Sequence, residues 1–355
     1  MTGDRVERTA WIIGALGLLG CVVGWIVTPR MFAHAWLAAL ACWIGWPLGS
    51  IALLLIHSIS GGRWGYAIRP QLALGVATLP LVLPAAVPLL AELHALYPWA
   101  RPELARELGN TAYLNVPFAC GRAVLYLIVW LGLGALTLRA LRRDDPDAAL
   151  YRLAPFGLIP LMLTVTFGGI DATMSLDPHF NSSIYGMILA AEGTLFALAV
   201  ATLFTLLVAP PPRRAVEDLG KLMLALLVLW GYFVFMQLLI VWNSDLGSDA
   251  PWYVLRLAHG WAIVAGIVFV VHFAVPFLLL LWPQVQGSRR AMLAVSGMIV
   301  AAEIPLAWWL VIPAAGRALS WVDVCAAAGF AGIGLGLALR APRVVAMPAG
   351  VSQHG

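Results

Sequence analysis

Asp171-Ala-Thr-Met-Ser-Leu-Asp-Pro-His-Phe-Asn-Ser-Ser183 separates two strongly apolar runs, 150–168 and 183–209. Each run is about as long as the 20 residues that carry a helix across a bilayer. The stretch between them is polar and holds two carboxylates, Asp171 and Asp177, and one imidazole, His179. Burying such groups beside lipid is expensive, so their place between two spans marks both a membrane fold and a candidate site of proton or quinone chemistry.

The same pattern extends outward over the whole chain. Of its 355 residues, 62% are hydrophobic and 11% charged, against about 25% charged in a soluble domain. Ten apolar runs are predicted to span: 9–27, 33–56, 67–91, 112–138, 150–168, 183–209, 221–241, 256–282, 291–311 and 320–339. The class is an all-α integral membrane protein with ten transmembrane helices. Arg5, Arg8, Arg63, Arg69, Arg139, Arg142, Arg143, Arg152, Arg213, Arg214, Lys221, Arg289, Arg290, Arg340 and Arg343 fall on the N-terminal side of the membrane. Only Arg30, Arg101, Arg106, Arg256 and Arg317 fall opposite. This bias predicts both termini inside. It also accounts for the net charge of +4 without a nucleic-acid partner.

Residues 1–340 are expected to form one polytopic domain, with 341–355 a disordered cytoplasmic tail. Helices two and six each follow a His-containing segment, Phe32-Ala-His34 and Pro178-His179-Phe180. Helices four and eight share a direction, and each has a Tyr near its start with an Arg further on. This echo suggests two four-helix bundles, helices 2–5 (about 33–168) and 6–9 (about 183–311), with helices one and ten outside them. The cysteines Cys21, Cys42, Cys120 and Cys325 are isolated, with no Cys-x-x-Cys spacing for zinc or an iron–sulfur cluster.

Several titratable residues fall inside the spans. Arg122 and Glu192 have similar predicted depths and are expected to pair, either as a structural tie or as a proton relay or quinone contact. Glu303 lies in the ninth run two residues before Pro305, which frees a backbone carbonyl. His57 and His272 read as proton-entry groups, as axial ligands of a b haem, or as plain hydrogen-bonding residues. Arg256 and His259 are expected one turn apart on one face of helix eight. They form either a surface salt-bridge group or, with Asp171, Asp177 and His179, a polar cluster.

Several motifs in one order resemble a known family. They are His34-Ala-Trp36, Leu55-Ile-His57-Ser-Ile-Ser-Gly-Gly-Arg-Trp-Gly65, Tyr113-Leu-Asn-Val-Pro-Phe118 with Arg122, and Asp171 through Gly186. Asp218-Leu-Gly-Lys-Leu-Met223, Gln237-Leu-Leu-Ile-Val-Trp-Asn243 and Trp252-Tyr-Val-Leu-Arg256 complete the set. Over about 30–285 the chain resembles the ActF-type membrane subunit of alternative complex III, of the NrfD- and polysulfide-reductase-like family. That family also goes by quinol:cytochrome c oxidoreductase quinone-binding subunit 2. The chain differs from it at Ala301-Ala-Glu-Ile-Pro305 and at Asn181.

The resemblance implies a non-catalytic subunit of a respiratory quinol:electron-acceptor oxidoreductase in the bacterial cytoplasmic membrane. It implies no redox cofactor bound by this chain, with quinone as a candidate ligand. The partners it implies are an NrfD-like quinol-binding subunit, an iron–sulfur subunit and a multihaem cytochrome c, which carry the Fe–S clusters and haem c. Arg122, Asp171, His179, Glu192 and Arg256 are the positions on which it places a proton path or quinone contact. The other classes open to the sequence are a secondary transporter and a quinol-oxidising or b-haem membrane anchor of another redox complex.

Overall fold

Ten helices long and apolar enough to cross a membrane follow one another along the chain. They are α1 (Asp4–Val27), α2 (Pro29–Ser60), α3 (Arg63–Ala91), α4 (Val116–Ala140), α5 (Pro146–Leu176), α6 (Tyr185–Val208), α7 (Arg213–Asn243), α8 (Trp261–Leu280), α9 (Arg289–Ala315) and α10 (Trp321–Arg340). The computed structural model describes residues 2–106, 108, 110–243, 247 and 249–340, and contains no strand among them. The chain is a multi-pass membrane protein. The expected tail, 341–355, lies outside the described residues.

Local chemistry explains where the helix bounds depart from the apolar runs. α4 starts at Val116, later than the run predicts, because the Asn115 side chain caps it by accepting from the Phe118 amide at 3.0 Å. Pro117 fits the first turn, where no amide donor is needed. α5 runs on through Ala172 before a short 3-10 turn, so Asp171 belongs to a helix end and not to a loop. α8 starts at Trp261, not 256, because His259 (φ 51°) and Gly260 (φ 85°) take left-handed backbone conformations that no helix continues through. Within α8, Phe269–Ala274 forms a π-helical turn that carries His272.

α2 and α6 stand at the centre. α2 packs against α3, α5, α6, α9 and α10, and α6 against α2, α3, α5, α7 and α9. The two cross closely at Gly49 and Gly193, where a Cβ on Gly49 would come within 2.6 Å of the Gly193 carbonyl carbon. α1 packs chiefly against α10, and here too glycines allow backbone to meet backbone: a Cβ on Gly17 would lie 2.6 Å from the Cys325 carbonyl oxygen. The far side of α1, with Ile12, Leu16, Leu19 and Ile26, is exposed and apolar, as a lipid-facing surface should be.

One end of the molecule carries the arginine-rich turns, and the other carries longer connections. At that loop-rich end, 92–115 contains two short helices, Leu93–Leu96 and Pro102–Ala105. It folds inward: buried Tyr97 and Trp99 donate to the Ala172 carbonyl (2.9 Å) and the Ser175 hydroxyl (3.0 Å). This plug closes the end of α5 beside Asp171.

Candidate functional site

Arg122 does not meet Glu192. Its guanidinium makes a bidentate pair with Asp171, Nε to Oδ2 at 2.7 Å and Nη2 to Oδ1 at 2.9 Å, and also donates to the Tyr113 carbonyl. The Tyr126 hydroxyl, one turn along α4, donates to the same carboxylate at 2.7 Å. The guanidinium lies 3.8 Å from the Tyr113 ring centroid and 4.4 Å from that of Phe118. Two causes redirect the pairing. Arg122 is under two turns from the true start of α4, so it is shallower than the run predicted, and Asp171 on a helix end reaches it at that level. Burial, reinforced by the Asp171 carboxylate, pushes the Tyr113 phenol up to about 12. The cluster therefore carries one anion and one cation, tied and flanked by neutral aromatic groups.

Glu192 instead meets Glu303. Glu192 lies two turns below Tyr185, about 11 Å from the loop-rich end of α6, and Glu303 lies about 12 Å below Val311 on antiparallel α9. Their carboxyls are neighbours in the interior. A carboxylate can only accept, so two such neighbours can hydrogen-bond only when one of them carries a proton. The Trp230 indole of α7 approaches Glu192 Oε2 at 3.4 Å. Glu303 is 2% exposed and its Oε1 has no hydrogen-bond partner among the described residues.

The pair faces a cavity of about 400 Å³ between α2, α5, α6 and α9, with α3 and α4 contributing Val82, Leu89 and Trp130. Its walls are apolar apart from Cys42, Thr173, Thr194 and the two acids. On the other side of Trp230, the His272 ring packs at 4.6 Å centroid separation, and both its nitrogens lack a protein partner. Glu303, Glu192, Trp230 and His272 thus form a continuous line of polar groups through α9, α6, α7 and α8.

A second set of unpartnered groups runs from the acids toward the basic end. Arg289 Nε donates to the Leu206 carbonyl at 3.0 Å, which fixes the antiparallel register of α9 on α6. The same fourteen-residue step leads from Arg289 to Glu303 and from Leu206 to Glu192. Between these levels lie the buried hydroxyls of Ser296, Thr202 and Thr205, none with a hydrogen-bond partner among the described residues. They sit about 10, 15 and 20 Å from the acids along the helix axes. Hydroxyls buried without protein partners are suited to water.

The remaining candidates are dispersed. Arg256 is buried in the turn before α8, not on its first face, and has no carboxylate partner among the described residues. It donates to the carbonyls of Trp252 (3.0 Å) and Leu310 (2.6 Å), with its guanidinium 3.5 Å from the Trp252 ring centroid. Burial pushes it down to about 10, so it remains charged at neutral pH. His259 is exposed and does not share a helix face with it. His179 is exposed too; Asp177 accepts from its amide at 3.2 Å, while neighbouring Phe180 is buried, 4.5 Å from the Trp252 ring centroid. The expected single cluster of Asp171, Asp177, His179, Arg256 and His259 is therefore not formed, because Asp171 faces α4 and Phe180 is the residue that turns inward.

His57 is placed by its own turn, its Nε2 at 2.8 Å from the Gly62 carbonyl and its ring against Trp64 and Tyr66. It does not share surroundings with His272. No group of three or more His, Cys, Asp or Glu that could hold a metal occurs among the described residues.

Arg256 yields a direct prediction. Replacing it with Met keeps the bulk between Trp252 and Trp309 but leaves two buried carbonyls without their donor. Arg256→Met should cost about 1–3 kcal/mol, read as a lower midpoint of thermal unfolding in detergent. An unchanged midpoint would mean that water replaces the guanidinium freely.

Three functional-looking residues escaped sequence reading. Tyr126 was legible as the position one turn from Arg122 on the same face. Trp230 gave no signal among 16 tryptophans. Asp323, fully buried in the first turn of α10, binds Arg317 through two 2.7 Å contacts. It reads from sequence as an ordinary acidic residue near a helix start.

These features define a polytopic helical membrane protein with two neighbouring buried acids beside an internal cavity. No protein-family model matches the chain, and no curated protein matches it.

Proposed function

We propose that this protein is a membrane subunit of a respiratory quinol:electron-acceptor oxidoreductase, similar to the membrane subunit of alternative complex III, in the bacterial cytoplasmic membrane. In this reading it anchors partner subunits, an NrfD-like quinol-binding chain, an iron–sulfur protein and a multihaem cytochrome c, and offers a path for protons. The observation that carries the reading is the Glu192–Glu303 pair, two neighbouring acids buried in the interior of a ten-helix membrane protein beside a cavity. Intramembrane acids are costly and mark proton relays. The hydroxyls of Thr205, Thr202 and Ser296 supply stepping positions from the basic end, and Trp230 links the pair to His272.

The test is purification of the tagged protein from its native membrane in mild detergent, with mass spectrometry and a visible spectrum. Co-purification of multihaem cytochrome c and iron–sulfur subunits is expected. A lone, colourless protein would overturn the respiratory reading. It would favour a proton-coupled secondary transporter, for which the internal cavity and the interrupted helix α8 are the supporting observations.

A further inference from the structure

The face that α1 buries is a seam of small residues: Ala10, Gly14, Gly17, Cys21 and Gly24, at steps of four, three, four and three. Val322, Cys325, Gly329 and Gly332 meet it from α10. The contacts fix the register of this antiparallel pair. A Cβ on Gly332 would overlap the Gly14 backbone, and one on Gly17 would overlap the Gly329 amide nitrogen. A Cβ on Gly24 would meet the Val322 side chain at 2.9 Å. The layers are thus Gly14 with Gly332, Gly17 with Gly329 and Gly24 with Val322. The layer between the last two places Cys21 opposite Cys325.

The width of that layer suits a covalent link. A Cβ on Gly17 would stand 2.7 Å from the Gly329 Cα. Its bond to the Gly17 Cα is about 1.5 Å long, so the two Cα atoms are at most about 4.2 Å apart. At Gly24 the contact is made by the Val322 side chain instead, so the backbones have begun to part. The cysteines lie between these two layers, and a disulfide needs Cα atoms about 4.4–6.8 Å apart. The side chains are placed for it too. A Cβ on Gly20 would come within 2.5 Å of the Cys325 Sγ, so that thiol points into α1 beside Cys21, and the two side chains are neighbours. Both are free thiols here, Cys21 buried and Cys325 partly exposed.

The layer is also shallow. Cys21 is six residues before Val27 and Cys325 four after Trp321, about 9 and 6 Å from the loop-rich ends of α1 and α10. The arginine bias predicts that this end faces away from the cytoplasm, where disulfides persist. We propose that Cys21 and Cys325 join in a disulfide that staples the first span to the last. The oxidant is a second disulfide, carried by a protein or a small molecule that reaches this end. The thiolate of Cys325, the more exposed of the two, attacks it and releases one of its sulfurs as a thiol. Cys21 then displaces the other sulfur. One S–S bond forms and one breaks, and two electrons and two protons pass from the cysteines to the oxidant, which leaves as two thiols.

The test is made on the full chain in its native membrane. Cells are quenched in acid, the denatured protein is alkylated with N-ethylmaleimide, and its peptides are mapped by mass spectrometry without reduction. Peptides linked through Cys21 and Cys325 are expected, with maleimide on Cys42 and Cys120. Maleimide on both Cys21 and Cys325, or a link from either of them to Cys42 or Cys120, would overturn the proposal. Purified protein gives a second reading, because a cross-link that closes a long loop stabilises the folded chain. Reduction with a phosphine should lower the thermal midpoint of the wild type and leave that of Cys325→Ser unmoved. A wild-type midpoint indifferent to reduction would mean that the two spans are not stapled.

Discussion

Arg122→Leu should strip the protein of about 3–5 kcal/mol of stability, the usual cost of removing one partner from a buried pair. The Asp171 carboxylate would keep only the Tyr126 hydroxyl among its side-chain donors, while its own side chain is 14% exposed. Asp171→Leu should cost a similar amount for the opposite reason, an orphaned guanidinium between Tyr113 and Phe118. The double variant should be clearly more stable than the two losses added together, since each single change already destroys the pair. Glu192→Gln combined with Arg122→Leu should instead be additive, because Glu192 neighbours Glu303 and Trp230. Unfolding in mixed detergent micelles compares wild type, the three single variants and the two double variants. Additivity within the Arg122–Asp171 cycle, or strong coupling of Arg122 to Glu192, would contradict the pairing.

Gly49→Val should prevent recovery of monodisperse protein. Any Cβ there overlaps the Gly193 carbonyl group, and backbone cannot step aside as a side-chain tip can. Overpacking commonly costs about 1–3 kcal/mol and more where backbone must move. Here the displaced contact joins α2 to α6, the two helices that most others pack against. Gly49→Ala should be folded but markedly less stable. Gly132→Ala is the control: a Cβ there meets nothing within 4 Å, and alanine is the better helix former. Size-exclusion profiles compare the three. Wild-type behaviour from Gly49→Val would mean that α2 and α6 do not cross this closely.

The ten spans were legible because length and apolarity alone decide whether a segment can cross a bilayer, and no tertiary contact overrides that requirement. Arg122, Glu192 and Glu303 were legible as individuals for the related reason that charge inside a span is conspicuous, and Asp171 as a carboxylate in the polar stretch between two spans. Their partners were not. The choice between Glu192 and Asp171 for Arg122 turned on where α4 and α5 end, which depends on the Asn115 cap and on α5 continuing past its apolar run. The union of Glu192 with Glu303 depends on the register between helices more than a hundred residues apart, which the Arg289–Leu206 contact reveals and periodicity does not. The cavity has no sequence signature, since Ala41, Gly45 and Gly193 look like any small helix-packing residues.

The meshing of α1 with α10 ties together the first and last of the ten spans to be synthesised. α1 reaches the membrane while α10 is still about 300 residues from being made, a wait of roughly 15–60 s at ordinary elongation rates. Throughout that interval the glycine-lined side of α1 is available to lipid or to insertion machinery. A chain that terminates early never covers it. The clasp closes only once α10 has been made, so the packing of the first span waits on the tenth.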